Sequence, residues 1–174
     1  MLQNLKNITT FIFDVDGVLT DGTVTATESG ELLRSFNIKD GYALQLAAKK
    51  GYHICIISGG KGVALNKRFE GLGIADVFLA VNDKTEVFKN YINQKGISPN
   101  QVLYLGDDLP DLTVMNLVGI AACPADAVEE IKAISHYISP KNGGEGAARD
   151  VIEKVLKVQH NWSNSVLSAA EASK

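Results

Sequence analysis

The residues able to do chemistry begin with Asp14 and Asp16, which sit just past a short apolar run of Ile8, Phe11, Ile12 and Phe13 and are followed by Gly17. Such a run, bounded by glycine, reads as a buried strand. Two carboxylates at i and i+2 beyond its end cost free energy to bury unless they hold a cation or accept hydrogen bonds. Three further clusters have the same setting. Ser58-Gly59-Gly60 ends the apolar run His53 to Ile57, and a hydroxyl with free N–H groups at a helix start suits an anion. Lys84 lies in Asn82-Asp83-Lys84-Thr85, which opens a helix. Gly106-Asp107-Asp108-Leu-Pro-Asp111 follows the run Val102 to Leu105. Taken singly, each has an ordinary explanation: a turn, a solvated lysine, or acids complementing a helix dipole.

The elements that must position these clusters follow from the pattern. Strands alternate with helices, which implies a Rossmann-like, doubly wound, mostly parallel α/β sheet with helices on both faces. The expected helices run from Asp40, as cap, to about Lys50; from the Ser58 loop through Phe69 and Leu72 to Gly73; and from Lys84 to Gly96. Further helices are expected after Pro110, from Pro124 and Asp126 through Val128, Ile131 and Ile134, and along the stripe Ala148, Val151, Ile152, Val155 and Leu156. Further strands are expected at Val77 to Leu79, Gly119 to Ala122 and His136 to Ile138, with a flexible loop at Gly143-Gly144-Glu145-Gly146. Ligands bind at the carboxyl ends of strands in such sheets. Asp14, Asp16, Ser58, Lys84 and Asp107 therefore converge on one edge.

Convergence has a direct chemical meaning. Asp14 and Asp107 can hold Mg²⁺, a hard ion that prefers oxygen. Ser58, Lys84 and backbone N–H groups can hold a phosphoryl group. Asp14 is then the nucleophile of an aspartyl-phosphate route, and Asp16 the acid and base. Asp108 and Asp111 sit behind these, fixing Lys84 or waters on the metal.

An inserted β-hairpin is expected at about residues 23–37, with a turn at Ser29-Gly30. Its Val24, Leu33 and Phe36 either fold back on their own core or meet another subunit. The intervals from Asp14 to Ser58 and from Ser58 to Lys84 are filled by the hairpin, two helices and strands, leaving no room for a cap domain. Residues 1–158 thus read as a single capless domain, and 159–174 as a polar, mobile tail.

Composition narrows the class. The chain has 174 residues, 45% hydrophobic and 21% charged, with net charge −3, which suits one domain with a sizeable core. No basic patch large enough for nucleic acid stands out; the densest cluster is Lys61, Lys67 and Arg68. No apolar run is long enough for a membrane span, and no secretory leader is visible. Cys55 and Cys123 are far apart and in apolar settings, so they read as buried thiols in a reducing, cytoplasmic compartment.

Asp14-Val-Asp16-Gly-Val-Leu-Thr, Ser58, Lys84 and Gly106-Asp-Asp-Leu-Pro-Asp111 together resemble the four motifs of the haloacid dehalogenase superfamily of phosphatases. Asn37-Ile-Lys-Asp-Gly41, Arg68 in Arg-Phe-Glu-Gly-Leu-Gly, and Gly143-Gly-Glu-Gly-Ala-Ala-Arg149 are similar to members acting on sugar-acid phosphates. The resemblance implies that magnesium is held by Asp14, Asp107 and the backbone carbonyl of Asp16. It implies substrate contacts from Asp16, Asn37, Ile38, Lys39, Asp40, Gly41, Ser58, Gly59, Arg68 and Lys84. It also implies a homotetramer whose hairpins join, with neighbours completing each site. The implied substrate is an eight-carbon sugar-acid 8-phosphate of lipopolysaccharide precursor synthesis, with nine-carbon sugar-acid 9-phosphates as the alternative. The sequence departs from the pattern at Gly60 and Gln45, where arginines are often found.

A phospho-accepting receiver module is the competing class, since it too joins acids, a hydroxyl and a lysine on a parallel sheet. Chain order separates them. Here Asp-x-Asp comes first and the second acid group last, and hydrolytic turnover needs the acid/base two residues from the nucleophile.

Overall fold

Thr10 to Phe13 form the strand on which the sheet is built, and all four residues are buried. In this computed structural model, which describes residues 2–162, the strand (β1, Thr10–Phe13) pairs in parallel with β4 (His53–Ile57) on one side and β6 (Val102–Leu105) on the other. β5 (Asp76–Phe78) extends the sheet beyond β4; β7 (Ile120–Cys123) and β8 (Tyr137–Ile138) extend it beyond β6. The six-stranded order is β5-β4-β1-β6-β7-β8. The chain leaves β1 toward one edge and later returns to its other side, so the topology switches direction at β1. Ligands bind at such a switch, outside the carboxyl ends of the strands.

Successive strand residues face opposite sides, and each side has its own core. Phe11, Phe13, Ile54, Ile56, Leu103 and Leu105 pack with helices α1 (Leu2–Asn7), α2 (Ile38–Lys49), α3 (Val63–Glu70) and α7 (Ala147–Val158). Ile12, Cys55, Ile57 and Tyr104 pack with α4 (Lys84–Lys95), α5 (Leu112–Met115) and α6 (Glu129–Ile134). The expected doubly wound α/β architecture is present.

Several boundaries differ from the sequence reading, each for a local reason. Asp40 does not cap α2. Asn37 does, accepting a hydrogen bond from the Lys39 N–H, while Asp40 lies inside the helix and accepts from the Arg149 N–H at 2.8 Å. α3 spans Val63–Glu70 with Gly71 as its C-cap, and so stops before Gly73. α6 starts at Glu129 after Val128, not at Pro124, and β5 spans Asp76–Phe78 instead of Val77 to Leu79. Pro110 opens a 3₁₀ turn, Leu109–Asp111, that leads into α5. By contrast, Asp83 and Gly96 bracket α4 as an N-cap and a left-handed C-cap.

The loop Gly143 to Gly146 is packed rather than free. A Cβ at Gly143 would lie 1.9 Å from the Gly17 carbonyl oxygen, and the Gly144 N–H donates to the Val18 carbonyl at 3.0 Å. Glycine is needed here because two backbones meet without room for a side chain.

Past Val158 the chain stays on the body. The Gln159 Nε2 donates to the Leu5 and Ile8 carbonyls, each at 2.8 Å, and Arg149 lies over the Trp162 ring. The rest of the expected tail, 163–174, lies outside the described residues. Among the described residues no helix is long and apolar enough to cross a membrane.

The hairpin is present but short: β2 (Thr25–Ala26) pairs antiparallel with β3 (Leu32–Leu33). Its side chains divide. Phe36 folds back, edge-on to Phe69 with ring centroids 6.0 Å apart. Val24, Leu32 and Leu33 remain 41%, 53% and 53% exposed.

Candidate active site

β1, β4 and β6 end side by side, and their next residues form one cleft. It has a volume of about 590 Å³, a size ordinary for a small-molecule site, and its walls include Asp14, Asp16, Ser58, Lys84, Asp107 and Asp108. The backbone at Gly59 and Gly60 lines it as well.

At its centre is a chain of charge. Lys84 Nζ donates to Asp14 Oδ2 and to Asp111 Oδ1, each at 2.7 Å. Asp111 is fully buried. Its Oδ1 also accepts from the Tyr104 hydroxyl at 2.7 Å, and its Oδ2 from the Asp107 N–H at 3.2 Å. Asp111 is thereby the anchor that holds Lys84 beside Asp14. Asp14 Oδ1 accepts from the Val15 N–H at 2.6 Å. Burial and the neighbouring Asp111 carboxylate push the Asp14 pKa up to about 6, against the lowering effect of Lys84. Burial opposes the charge on Lys84, but Asp111 and Asp14 outweigh it and raise its pKa.

Ser58 is fixed by the end of β5. Its N–H donates to the Phe78 carbonyl and its carbonyl accepts from the Val81 N–H, both at 3.0 Å. Its hydroxyl oxygen accepts from the Gly60 N–H at 3.1 Å. Ala80 makes this closure possible by adopting φ +54°, which brings its N–H to the Gly60 carbonyl at 2.9 Å. A non-glycine residue there carries backbone strain that the surrounding bonds must offset.

Carboxylates of Asp14, Asp107 and Asp111 approach one another within 4.8 Å. Asp111 is fully buried behind Lys84 and does not line the cleft, whereas Asp14 and Asp107 do, so the two acids that face a cation are Asp14 and Asp107. Asp107 Oδ1 is buried with no hydrogen-bond partner. Burial and the carboxylates of Asp111, Asp14 and Asp108 push the Asp107 pKa up to about 8. An orphaned acid oxygen among other acids is the setting a hard divalent cation completes, and the all-oxygen donors fit magnesium. Gly17, at φ +82°, leaves that space clear: a Cβ there would lie 2.0 Å from Asp107 Oδ2.

This electrostatic frustration yields a prediction. The Asp107 pKa is raised on folding, so ionised Asp107 costs stability that grows as pH climbs from the ordinary carboxylate range toward 8. Asp107→Asn therefore raises the melting temperature of chelator-treated protein at neutral pH and abolishes the further rise that Mg²⁺ gives the wild type. A chelated variant that melts below the wild type would contradict this.

Asp108, on the wall of the cleft, is exposed and accepts from the Leu109 N–H at 2.7 Å, and no hydrogen bond joins it to Lys84 among the described residues. The remaining expected site residues lie elsewhere. Asn37, Asp40, Gly41 and Arg68 line a separate recess with Phe36, only about 10 Å³ in volume. The Arg68 guanidinium lies over the Phe36 ring at 5.6 Å. Ile38 and Lys39 are exposed. Within one chain, then, 37–41 and Arg68 do not reach the cleft. Gln45 is half-buried on α2.

One residue of the site escaped the sequence reading. Arg34, just past β3, donates from Nε to Asp16 Oδ1 at 2.6 Å and from an Nη to Asp16 Oδ2 at 3.0 Å. It is the sole basic residue of the hairpin stretch 23–37, and that isolation was the available signal.

Comparisons with known proteins agree with this geometry. Residues 70–151 match the family model described as haloacid dehalogenase-like hydrolase. The 3-deoxy-D-manno-octulosonate 8-phosphate phosphatase of Yersinia pestis is 35% identical over 159 residues, covering 91% of this chain and 85% of that protein. The crystal structure of the enzyme of that name from Moraxella catarrhalis, in complex with magnesium ion, phosphate ion and a KDO molecule, superposes with TM-score 0.93 at 33% identity, covering 96% of both chains. The cobalt-bound form from Haemophilus influenzae gives TM-score 0.89 at 32% identity, covering 92% of this chain and 94% of that one. Identity at this level across nine-tenths of the sequence decides kinship: the chain belongs to the haloacid dehalogenase-like hydrolases and, within them, to the family of the 3-deoxy-D-manno-octulosonate 8-phosphate phosphatases.

Proposed function

We propose that the protein is a magnesium-dependent phosphomonoesterase that releases phosphate from 3-deoxy-D-manno-octulosonate 8-phosphate through an aspartyl-phosphate, in lipopolysaccharide precursor synthesis. The observation that carries this is the placement of Lys84 between Asp14 and Asp111, beside the orphaned Asp107 oxygen, at the carboxyl edge of β1 and β6.

Asp14 attacks phosphorus, and the bond from phosphorus to the sugar oxygen breaks. Asp16, two residues on, gives its proton to that oxygen. Lys84 balances the charge of Asp14 and of the incoming phosphoryl group, while Asp111 keeps it in reach. The Ser58 hydroxyl and the backbone N–H at Gly59 bind phosphoryl oxygens. Asp16 then takes a proton from the water that attacks the phosphorus of the aspartyl-phosphate. Asp14, Asp107 and the Asp16 carbonyl would hold magnesium, which supplies further positive charge against the repulsion between carboxylate and phosphate dianion. A receiver module would stop at the phosphorylated aspartate. Asp16 at the cleft favours turnover.

The test is phosphate release from a panel of sugar-acid phosphates, with Mg²⁺ and with chelator. Metal-dependent turnover favouring the octulosonate 8-phosphate is expected. Preference for a nine-carbon 9-phosphate would keep the mechanism and change the substrate.

The domain is capless and its cleft open, so neighbouring subunits complete it. The protein assembles as a cytoplasmic homotetramer joined through Val24, Leu32 and Leu33, whose exposure on the hairpin supports a covered face. Asn37 to Gly41 and Arg68 then serve a neighbour's cleft and not their own. In sedimentation the wild type runs as a tetramer, and Leu33→Glu shifts it to smaller species. A monodisperse wild-type monomer at micromolar concentration would sink the assembly.

A further inference from the structure

Arg34 closes both oxygens of Asp16 in a two-pronged ion pair, at 2.6 and 3.0 Å. Its side chain is 8% exposed, against 33% for Asp16. Among the described residues its guanidinium makes no other hydrogen bond, although such a group carries five N–H donors. Gly60 faces this pair: a Cβ at position 60 would lie 3.4 Å from the Arg34 Nη and 3.2 Å from Asp16 Oδ2. The hairpin thus delivers a guanidinium to the space beside Asp16, within reach of a side chain grown from position 60.

Asp16 must turn an oxygen to the leaving sugar oxygen, and in this arrangement both of its oxygens accept from Arg34. A competing anion on the leaving group would draw Arg34 away and free Asp16 in the same event. A neutral leaving group offers Arg34 nothing stronger than Asp16. We propose that Arg34 is the specificity residue of the cleft: it binds the carboxylate of the leaving sugar acid, and in passing from Asp16 to that carboxylate it readies the site for acidic substrates. The inference rests on the proposed sugar-acid phosphatase activity and adds to it the source of substrate selection.

The test compares kcat and KM for 3-deoxy-D-manno-octulosonate 8-phosphate and for a neutral sugar phosphate, arabinose 5-phosphate, in the wild type, Arg34→Ala, Arg34→Lys and Arg34→Ala/Gly60→Arg. The ratio of kcat/KM for the acid over the neutral substrate falls about 30-fold in Arg34→Ala, the scale of a lost charged hydrogen bond, with KM for the acid raised. Arg34→Lys recovers part of the ratio, and Gly60→Arg in the alanine background recovers more by placing a guanidinium in the vacated space. Equal losses on both substrates, leaving the ratio within about threefold of wild type, would overturn the proposal and make Arg34 only a brace for Asp16. So would a lost ratio that neither replacement recovers, since a folding defect would account for it. A wild type that hydrolyses both substrates without preference would instead refute the acidic-substrate reading on which the proposal stands.

Discussion

Asp14→Asn is expected to reduce kcat by at least about 10⁴-fold while leaving the protein folded, because the substitution removes the nucleophile and little else. Asparagine has the same shape. Its side-chain oxygen still accepts from Lys84 or from the Val15 N–H, the two partners of Asp14. Its neutrality also relieves the crowding of acids that raises the pKa of both Asp14 and Asp107. Thermal melting alongside phosphate release separates the two effects. Activity within tenfold of wild type would mean that water, and not Asp14, attacks phosphorus.

Asp111→Ala has the largest expected effect on stability. Asp111 is fully buried, and it is the shared acceptor for Lys84, Tyr104 and the Asp107 N–H. Its removal leaves a buried cation with one carboxylate in place of two, and a buried hydroxyl and an N–H with no acceptor. Breaking a buried ion pair from one side costs about 3–5 kcal/mol, a large share of a stability of about 5–15 kcal/mol. Activity falls as well, since Lys84 is no longer held at the cleft. Urea unfolding measures the first effect and phosphate release the second. Asp111→Asn keeps an acceptor and should unfold between the two. A midpoint and slope for Asp111→Ala that match the wild type would show that Lys84 is held by something other than Asp111.

The strands and the polar residues at their ends were legible in the sequence for one reason. Strands buried on both faces are continuous apolar runs, and the chemistry begins where each run stops. Asp14 after Phe13, Ser58 after Ile57 and Asp107 after Leu105 follow this rule, and all three reach the cleft. What stayed hidden depends on contacts between distant segments. Asp40 looked like a helix cap because caps are local, but its partner is the N–H of Arg149, more than a hundred residues later. Gly143 and Gly144 looked flexible because glycines often are, whereas they are the surface against which Gly17 and Val18 close. Tyr104 read as one more apolar strand residue, and its hydroxyl proved to be a support for Asp111. α1 carries too short a pattern to stand out, and its end is held by Gln159 from the other terminus of the body. Arg34 is the clearest instance: nothing within the hairpin says that it meets Asp16, because the fold alone brings β3 to that edge.

The most direct test of the account is to catch the covalent intermediate. The enzyme, turning over the octulosonate 8-phosphate with Mg²⁺, is quenched in acid, reduced with borohydride and digested for mass spectrometry, so that an aspartyl-phosphate is read as homoserine. Homoserine at position 14, absent with chelator and absent in Asp14→Asn, is the predicted result. Phosphate release at full rate with no residue converted, or conversion at Asp16 or Asp107 in place of Asp14, would contradict the mechanism.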